Sequence, residues 1–97
     1  MIQVIFHERA QQDILRLVEL LIEQNIDAAL ATFDIIHDGI SVLKKHPEIG
    51  RPTEEKDLRE LVISRGHTGY IALYTFDELR ELVTVLRVKH QRESNFS

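Results

Sequence analysis

Ile2, Val4 and Phe6 alternate with Gln3, Ile5 and His7 at the start of the chain, a β-branched run that predicts an opening strand buried on both faces for part of its length. The period then lengthens. From Glu8 to Gln24, Ala10, Ile14, Leu17, Val18 and Leu21 fall at helical spacing, with Leu15, Leu20 and Ile22 widening the stripe, so an amphipathic helix is expected. Asn25 or Asp27 can cap a second helix, along which Ala29, Phe33, Ile36, Ile40 and Leu43 recur at steps of 4, 3, 4 and 3. A link this short makes the pair an antiparallel hairpin. Lys44, Lys45 and His46 are cations placed where a helix C-terminus favours them, and Pro47 stops the helix.

Pro47 to Pro52 then reads as a turn, and a charged loop continues through Asp57. Three strand-like runs follow, over 58–65, 69–76 and 82–90, joined by hairpin-length links at Gly66-His67-Thr68 and at 77–81. The order is β-α-α-β-β-β. Two apolar helix stripes need one apolar sheet face, so the expected fold is α+β, with the hairpin packed on one face of a mainly antiparallel four-stranded sheet and the other face left open for function. The strand at 58–65 has mixed faces: Leu58, Glu60, Val62 and Ser64 share one side, and Arg59, Leu61, Ile63 and Arg65 the other. Its core side stays open at this point. The tail from about Gln91 is polar, and is expected to be frayed or ordered by a partner.

Length and composition narrow the class. With 97 residues the chain is one domain, 1–97, and 43% hydrophobic with 29% charged residues is an ordinary globular balance. The lack of cysteine removes disulfides, thiolate zinc sites and cysteine nucleophiles. The N-terminus lacks the basic and long apolar regions of a signal peptide, and no apolar run is long enough to span a membrane, so a cytoplasmic protein is expected. Net charge is -4; residues 1–50 carry four Lys/Arg against eight Asp/Glu, and residues 51–97 carry eight of each. That balance argues against a broad non-specific grip on nucleic acid.

Strict alternation in the last strand places Leu82, Leu86 and Val88 on one side and Val83, Val85, Arg87 and Lys89 on the other. Arg87 and Lys89 should therefore emerge on the open face, with His90 and Arg92 beyond them, as a cationic group for an anionic partner. Solvated charges at a sheet end, or ion pairs with acids across the sheet, are the plainer alternatives. The five histidines are dispersed without ligand spacing, so no metal site is expected; the glycines form no phosphate loop, and no cofactor is implied. Leu15, Leu20, Ile22, Leu30 and Ile35 lie beside the main helix stripes, and surplus apolar area of this kind marks an interaction surface.

Several local strings occur in a telling order: Arg9-Ala10 with Asp13-Ile14, L-K-K-H-P-E-I-G over 43–50, Leu58-Arg59-Glu60-Leu61-Val62, Gly69-Tyr70-Ile71 with Tyr74, and V-L-R-V-K-H-Q-R-E over 85–93. Together they resemble the RelE/ParE superfamily of bacterial toxins over nearly the whole chain. The resemblance implies the toxin of a type II toxin–antitoxin system, encoded on a plasmid or chromosomal stability locus and wrapped by a small antitoxin, here expected on Leu15, Leu20, Ile22, Leu30 and Ile35. A homodimer or a larger toxin–antitoxin assembly is compatible with it.

The superfamily divides by target. RelE-like members cut mRNA on the ribosome, and ParE-like members poison DNA gyrase and cause growth arrest without being nucleases. For cleavage, Arg59 resembles the superfamily's strand arginine, and Lys89, His90 and Arg92 complete the candidate catalytic set. However, the terminal aromatic is Phe96, which has no proton to give where many of the nucleases place a tyrosine, and an acidic chain is poorly suited to a site walled by RNA. The expectation is a ParE-like gyrase inhibitor, a binder and not an enzyme, whose target contact is Arg87, Lys89, His90 and Arg92. A RelE-like endoribonuclease and a non-toxic interaction module are the alternatives.

Overall fold

The computed structural model describes residues 1–65 and 68–93. Its elements are β1 (Gln3–Phe6), α1 (Glu8–Ile22), α2 (Ile26–Ser41), a 3-10 turn (Val42–Lys44), β2 (Arg51–Pro52), β3 (Leu58–Arg65), β4 (Thr68–Asp77) and β5 (Leu82–His90). Both helices begin at a side-chain cap. His7 Nδ1 accepts from the Arg9 N–H, and Asn25 Oδ1 accepts from the N–H groups of Asp27 and Ala28, satisfying donors that the first helical turn leaves without partners. Of the two expected caps of α2, Asn25 is the one used, and Asp27 occupies the first turn, where its charge suits the positive end of the helix.

The strands form one mixed sheet in the order β1-β5-β4-β3-β2. The α+β class and the helical hairpin are as expected, but the sheet has five strands and not four. β2 is the addition: two residues in the loop after Gly50, pairing Arg51 with Glu60 and Pro52 with Arg59. A two-residue strand carries no periodic signal, and a proline is tolerated there because β2 is an edge. β1 runs parallel to β5 and has no other neighbour, so it is an edge strand with Ile5 47% exposed, not a strand buried on both faces.

Ile36, Ile40 and Leu43 from the second helical segment meet Tyr74, Val83, Val85 and Val88 of the sheet in the centre of the core. Burying each such aliphatic side chain contributes about 1.5–3 kcal/mol. Ile63 is buried and Leu61 packs against the core, which gives β3 its orientation: Arg59, Leu61 and Ile63 face the helices, and Leu58, Glu60 and Val62 face the open side. Gly39 permits this approach, because a Cβ there would lie 2.6 Å from Ile63 Cγ2. Thr32, not Phe33, is the buried member of the α2 stripe; Phe33 is 47% exposed on the outer surface.

The last strand departs from strict alternation. The pairing steps from Leu73–Arg87 to Tyr74–Val85, so Leu86 is the extra residue of a β-bulge. Val83 and Val85 face the core before the bulge, and Val88 rejoins them after it. Val83 and Val85 therefore share the core side with Val88, and not, as strict alternation implied, one side with Arg87 and Lys89.

Candidate functional site

The bulge brings the end of β5 against α1. The Val88 N–H, on the side of β5 away from β4, is taken by Asp13 Oδ2 at 2.9 Å. The same carboxylate receives Arg87 Nε at 2.8 Å and Nη2 at 3.1 Å. Asp13 is 6% exposed. Burial works to raise its pKa, but the bonds from Arg87 and Val88 and the charges of Arg87 and Arg16 prevail and hold it below the ordinary 3.8. Arg87 thus sits in an ion pair with α1, its side chain only 15% exposed, and the expectation that it would emerge on the open face is overturned. Ion pairing, the plainer alternative, describes it, though the partner lies on a helix and not across the sheet. The signal for Asp13 was in the sequence: Ala10, Asp13 and Leu17 are spaced at 3 and 4, so a carboxylate occupies a core position.

Beyond β5, Arg16 binds the Glu93 carboxylate at 2.5 and 3.3 Å and also lies 3.8 Å from Asp13. The Arg16 bond is the main reason the Glu93 pKa is lowered. Lys89 Nζ donates to Glu93 O, and the Glu93 N–H to His90 O, so residues 91–93 turn back onto α1. His90 stacks edge-on against buried Tyr70, with ring centroids 5.3 Å apart, and its Nδ1 accepts from the Arg92 N–H. Tyr70, His90, Arg92 and Glu93 border a cleft of about 550 Å³ lined also by Leu17, Leu20 and Leu21. Lys89, His90 and Arg92 are thus gathered at one end of the sheet.

Arg59 is not with them. Its Nη1 donates to Glu48 O at 3.0 Å and to Gly50 O at 2.7 Å, while the Gly50 N–H donates to the hydroxyl of fully buried Tyr74 at 2.8 Å. Gly50 has no room for a side chain, since a Cβ would lie 2.5 Å from that hydroxyl. Burial pushes the Tyr74 phenol above 10.0, against the Gly50 bond and the Arg59 charge. Arg59 stands opposite Tyr74, whereas His90 stands opposite Tyr70, four residues along the same strand. At about 3.3 Å per residue the separation is roughly 13 Å. Both tyrosines are buried, which matches their expected packing role. The side chain of Arg65, the turn at Gly66 and His67, and Phe96 lie outside the described residues.

The five apolar residues expected at an interaction surface divide three ways. Leu15, Ile22 and Leu30 are exposed on the outer hairpin, with Phe33 stacked on His37 among them. Leu20 is exposed beside the His90 cleft. Ile35, by contrast, packs against the core, so it is not part of an exposed surface. Among the described residues, no group of three or more His, Cys, Asp or Glu could hold a metal ion, and no helix is long and apolar enough to cross a membrane.

A helical hairpin laid on a five-stranded sheet whose first and last strands run parallel is the architecture of small toxins from type II toxin–antitoxin systems. Residues 4–95 match the family model described as the ParE toxin of type II toxin–antitoxin system, parDE, and the chain belongs to that family, within the RelE/ParE superfamily. It is 29% identical over 85 residues to toxin RelE3 of Caulobacter vibrioides, covering 88% of this chain and 89% of that protein. Two solved structures share the fold. The chromosomal ParDE system from P. aeruginosa gives a TM-score of 0.75 at 18% identity, covering 93% of this chain and 96% of that one. The intact E. coli RelBE toxin–antitoxin complex gives 0.65 at 18% identity, covering 96% and 100%.

Proposed function

We propose that this toxin arrests growth in the cytoplasm by binding DNA gyrase, without cutting nucleic acid, and that a cognate antitoxin from the same plasmid or chromosomal stability locus neutralises it. The observation that carries the reading is the placement of Arg59. Cleavage of RNA by its own 2'-hydroxyl needs a base, an acid and a cation converging on one phosphate. Here the strand arginine is bonded to the Glu48 and Gly50 carbonyls, roughly 13 Å along the strands from His90, so one scissile phosphate does not meet both. Lys89, His90 and Arg92 are left as the target-contacting group, and Arg87 contributes by shaping the strand end. The antitoxin reading draws on the relatives, which include solved toxin–antitoxin complexes.

Ribosome-dependent mRNA cleavage is the competing reading, favoured by likeness to a protein named RelE3. Purified toxin tested for inhibition of gyrase supercoiling, in parallel with translation extracts probed for transcript cleavage, separates the two. Supercoiling should fall and transcripts stay intact. Cleavage that requires ribosomes, with gyrase unaffected, sinks the proposal.

A further inference from the structure

The cationic group at the end of β5 stands where the sheet has run out of neighbours on one side. β1 pairs with β5 only as far as Phe6 and Val85, so at Val88 the edge of β5 turned away from β4 meets α1 in place of a strand. Helix α1 supplies two charged residues there, about one turn apart. Asp13 takes the Val88 N–H and the Arg87 guanidinium, and Arg16, 3.8 Å from Asp13, reaches on to the Glu93 carboxylate at 2.5 and 3.3 Å. The two pairs differ in burial. The side chains of Asp13 and Arg87 are 8% and 15% exposed, as suits a pair that holds the fold, whereas those of Arg16 and Glu93 are 45% and 32% exposed. An ion pair so open to water adds little stability, so its consequence lies in where it holds the chain.

What it holds is the turn that carries Arg92. The Gln91 N–H donates to Gly69 O at 2.9 Å, and the Gln91 side chain lies over Gly69, where a Cβ would come within 1.7 Å of its Oε1. After Gln91 the chain leaves the sheet. His90 Nδ1 accepts from the Arg92 N–H and His90 O from the Glu93 N–H, each at 3.0 Å, while Lys89 Nζ donates to Glu93 O at 3.1 Å. Glu93 thus meets every member of the cationic group: its N–H bonds His90, its carbonyl oxygen accepts from Lys89, and exposed Arg92 is its neighbour in the chain. Those bonds are local, and the carboxylate of Glu93 ties the turn to α1 through Arg16. We propose that Arg16 and Glu93 are positioning residues for target binding: their ion pair presets Lys89, His90 and Arg92 in the arrangement the target meets, without touching the target. A group ordered in advance gives up less freedom on binding. The inference rests on the reading of Lys89, His90 and Arg92 as the target contact.

Arg16→Gln, Glu93→Gln and their double variant are compared with the wild type and with Arg80→Gln, which removes one positive charge from the link between β4 and β5. Each full-length protein is measured for melting temperature, for the heteronuclear amide NOE of residues 92 and 93, and for the concentration that half-inhibits gyrase supercoiling. Melting temperature should stay nearly unchanged, because the pair is exposed. The NOE of both amides should fall, and half-inhibition should require about tenfold more of either single variant. The double variant should lose no more than either single one, since the two residues act as a unit. Wild-type inhibition despite a fallen NOE, amides as rigid as in the wild type, or a double loss equal to the sum of the singles overturns the inference. A loss of inhibition that Arg80→Gln reproduces, or that follows a falling melting temperature, overturns it too. A wild type that leaves gyrase untouched refutes the gyrase reading by itself. The same variants are then compared by the inducer level that arrests growth at equal soluble protein: a higher level for both single variants supports the positioning role, and an unchanged level overturns it.

Discussion

Removing the carboxylate of Asp13 tests the account of how the last strand is held. Asp13→Ala deletes the acceptor of three bonds, from Arg87 Nε, Arg87 Nη2 and the Val88 N–H. It takes the buried carboxylate from a guanidinium whose side chain is 15% exposed, and leaves the Val88 N–H inside the protein without its acceptor. Breaking a buried ion pair from one side costs about 3–5 kcal/mol. Residual solvent access to Arg87 places the expected loss near the lower limit, about 3 kcal/mol, or roughly 12–24 °C of melting temperature for a domain of this size. Asp13→Asn keeps an oxygen for the Val88 N–H and should cost less, about 1–2 kcal/mol.

The pH dependence follows from the direction of the Asp13 shift. Its folded pKa lies below the ordinary 3.8, so the unfolded chain binds the proton more readily. The stabilisation is therefore fully present above the unfolded value and is lost as pH falls through the folded one. The stability gap between wild type and Asp13→Asn should be constant near neutrality and begin to close below 3.8. Urea denaturation followed by circular dichroism, in a series from about pH 7 to about pH 3, measures both quantities. The double variant Asp13→Ala/Arg87→Ala should lose less than the sum of its parts, because the two side chains share the interaction that each single variant removes. A loss below about 1 kcal/mol for Asp13→Ala, or a gap unchanged by acid, refutes the reasoning.

Arg59→Ala removes the donor to Glu48 O and Gly50 O and should lower stability by about 1–3 kcal/mol in denaturant titration, with any loss of growth arrest tracking the loss of folded protein. Tyr74→Phe leaves the Gly50 N–H without its acceptor and should cost about 1–3 kcal/mol by the same measurement. Gly39→Ala forces α2 from β3 and should destabilise by about 1–3 kcal/mol, partly recovered when Ile63 is shortened to Ala. Alanine at Lys89 or Arg92 should leave the melting temperature nearly unchanged and reduce gyrase inhibition, measured as residual supercoiling; unchanged inhibition in both would remove that end of the sheet from the target contact.

Periodicity in the chain determined the elements: the alternation over 2–6, the helical stripes and the three strands of the meander lie close to where local pattern places them, although α2 ends at Ser41 and passes into a 3-10 turn, ahead of the stop expected at Pro47 and without the expected cations in its last turn. The strings around Asp13, Pro47, Arg59 and His90 were enough to indicate the superfamily. Only the tertiary structure decided which polar groups meet. Local pattern cannot see a bulge at Leu86, because one extra residue reverses every later side of a strand without altering composition. That reversal put Val88 in the core, and the Val88 N–H and the Arg87 guanidinium both meet Asp13, a residue 74 positions from Arg87 in sequence. Register likewise separated Arg59 from His90, although both are cationic candidates on strands of one sheet. Whether an apolar position beyond the main stripe is core or surface was set by the depth of the neighbouring layer, which half-buried Ile35 against the core and left Leu30 and Phe33 exposed.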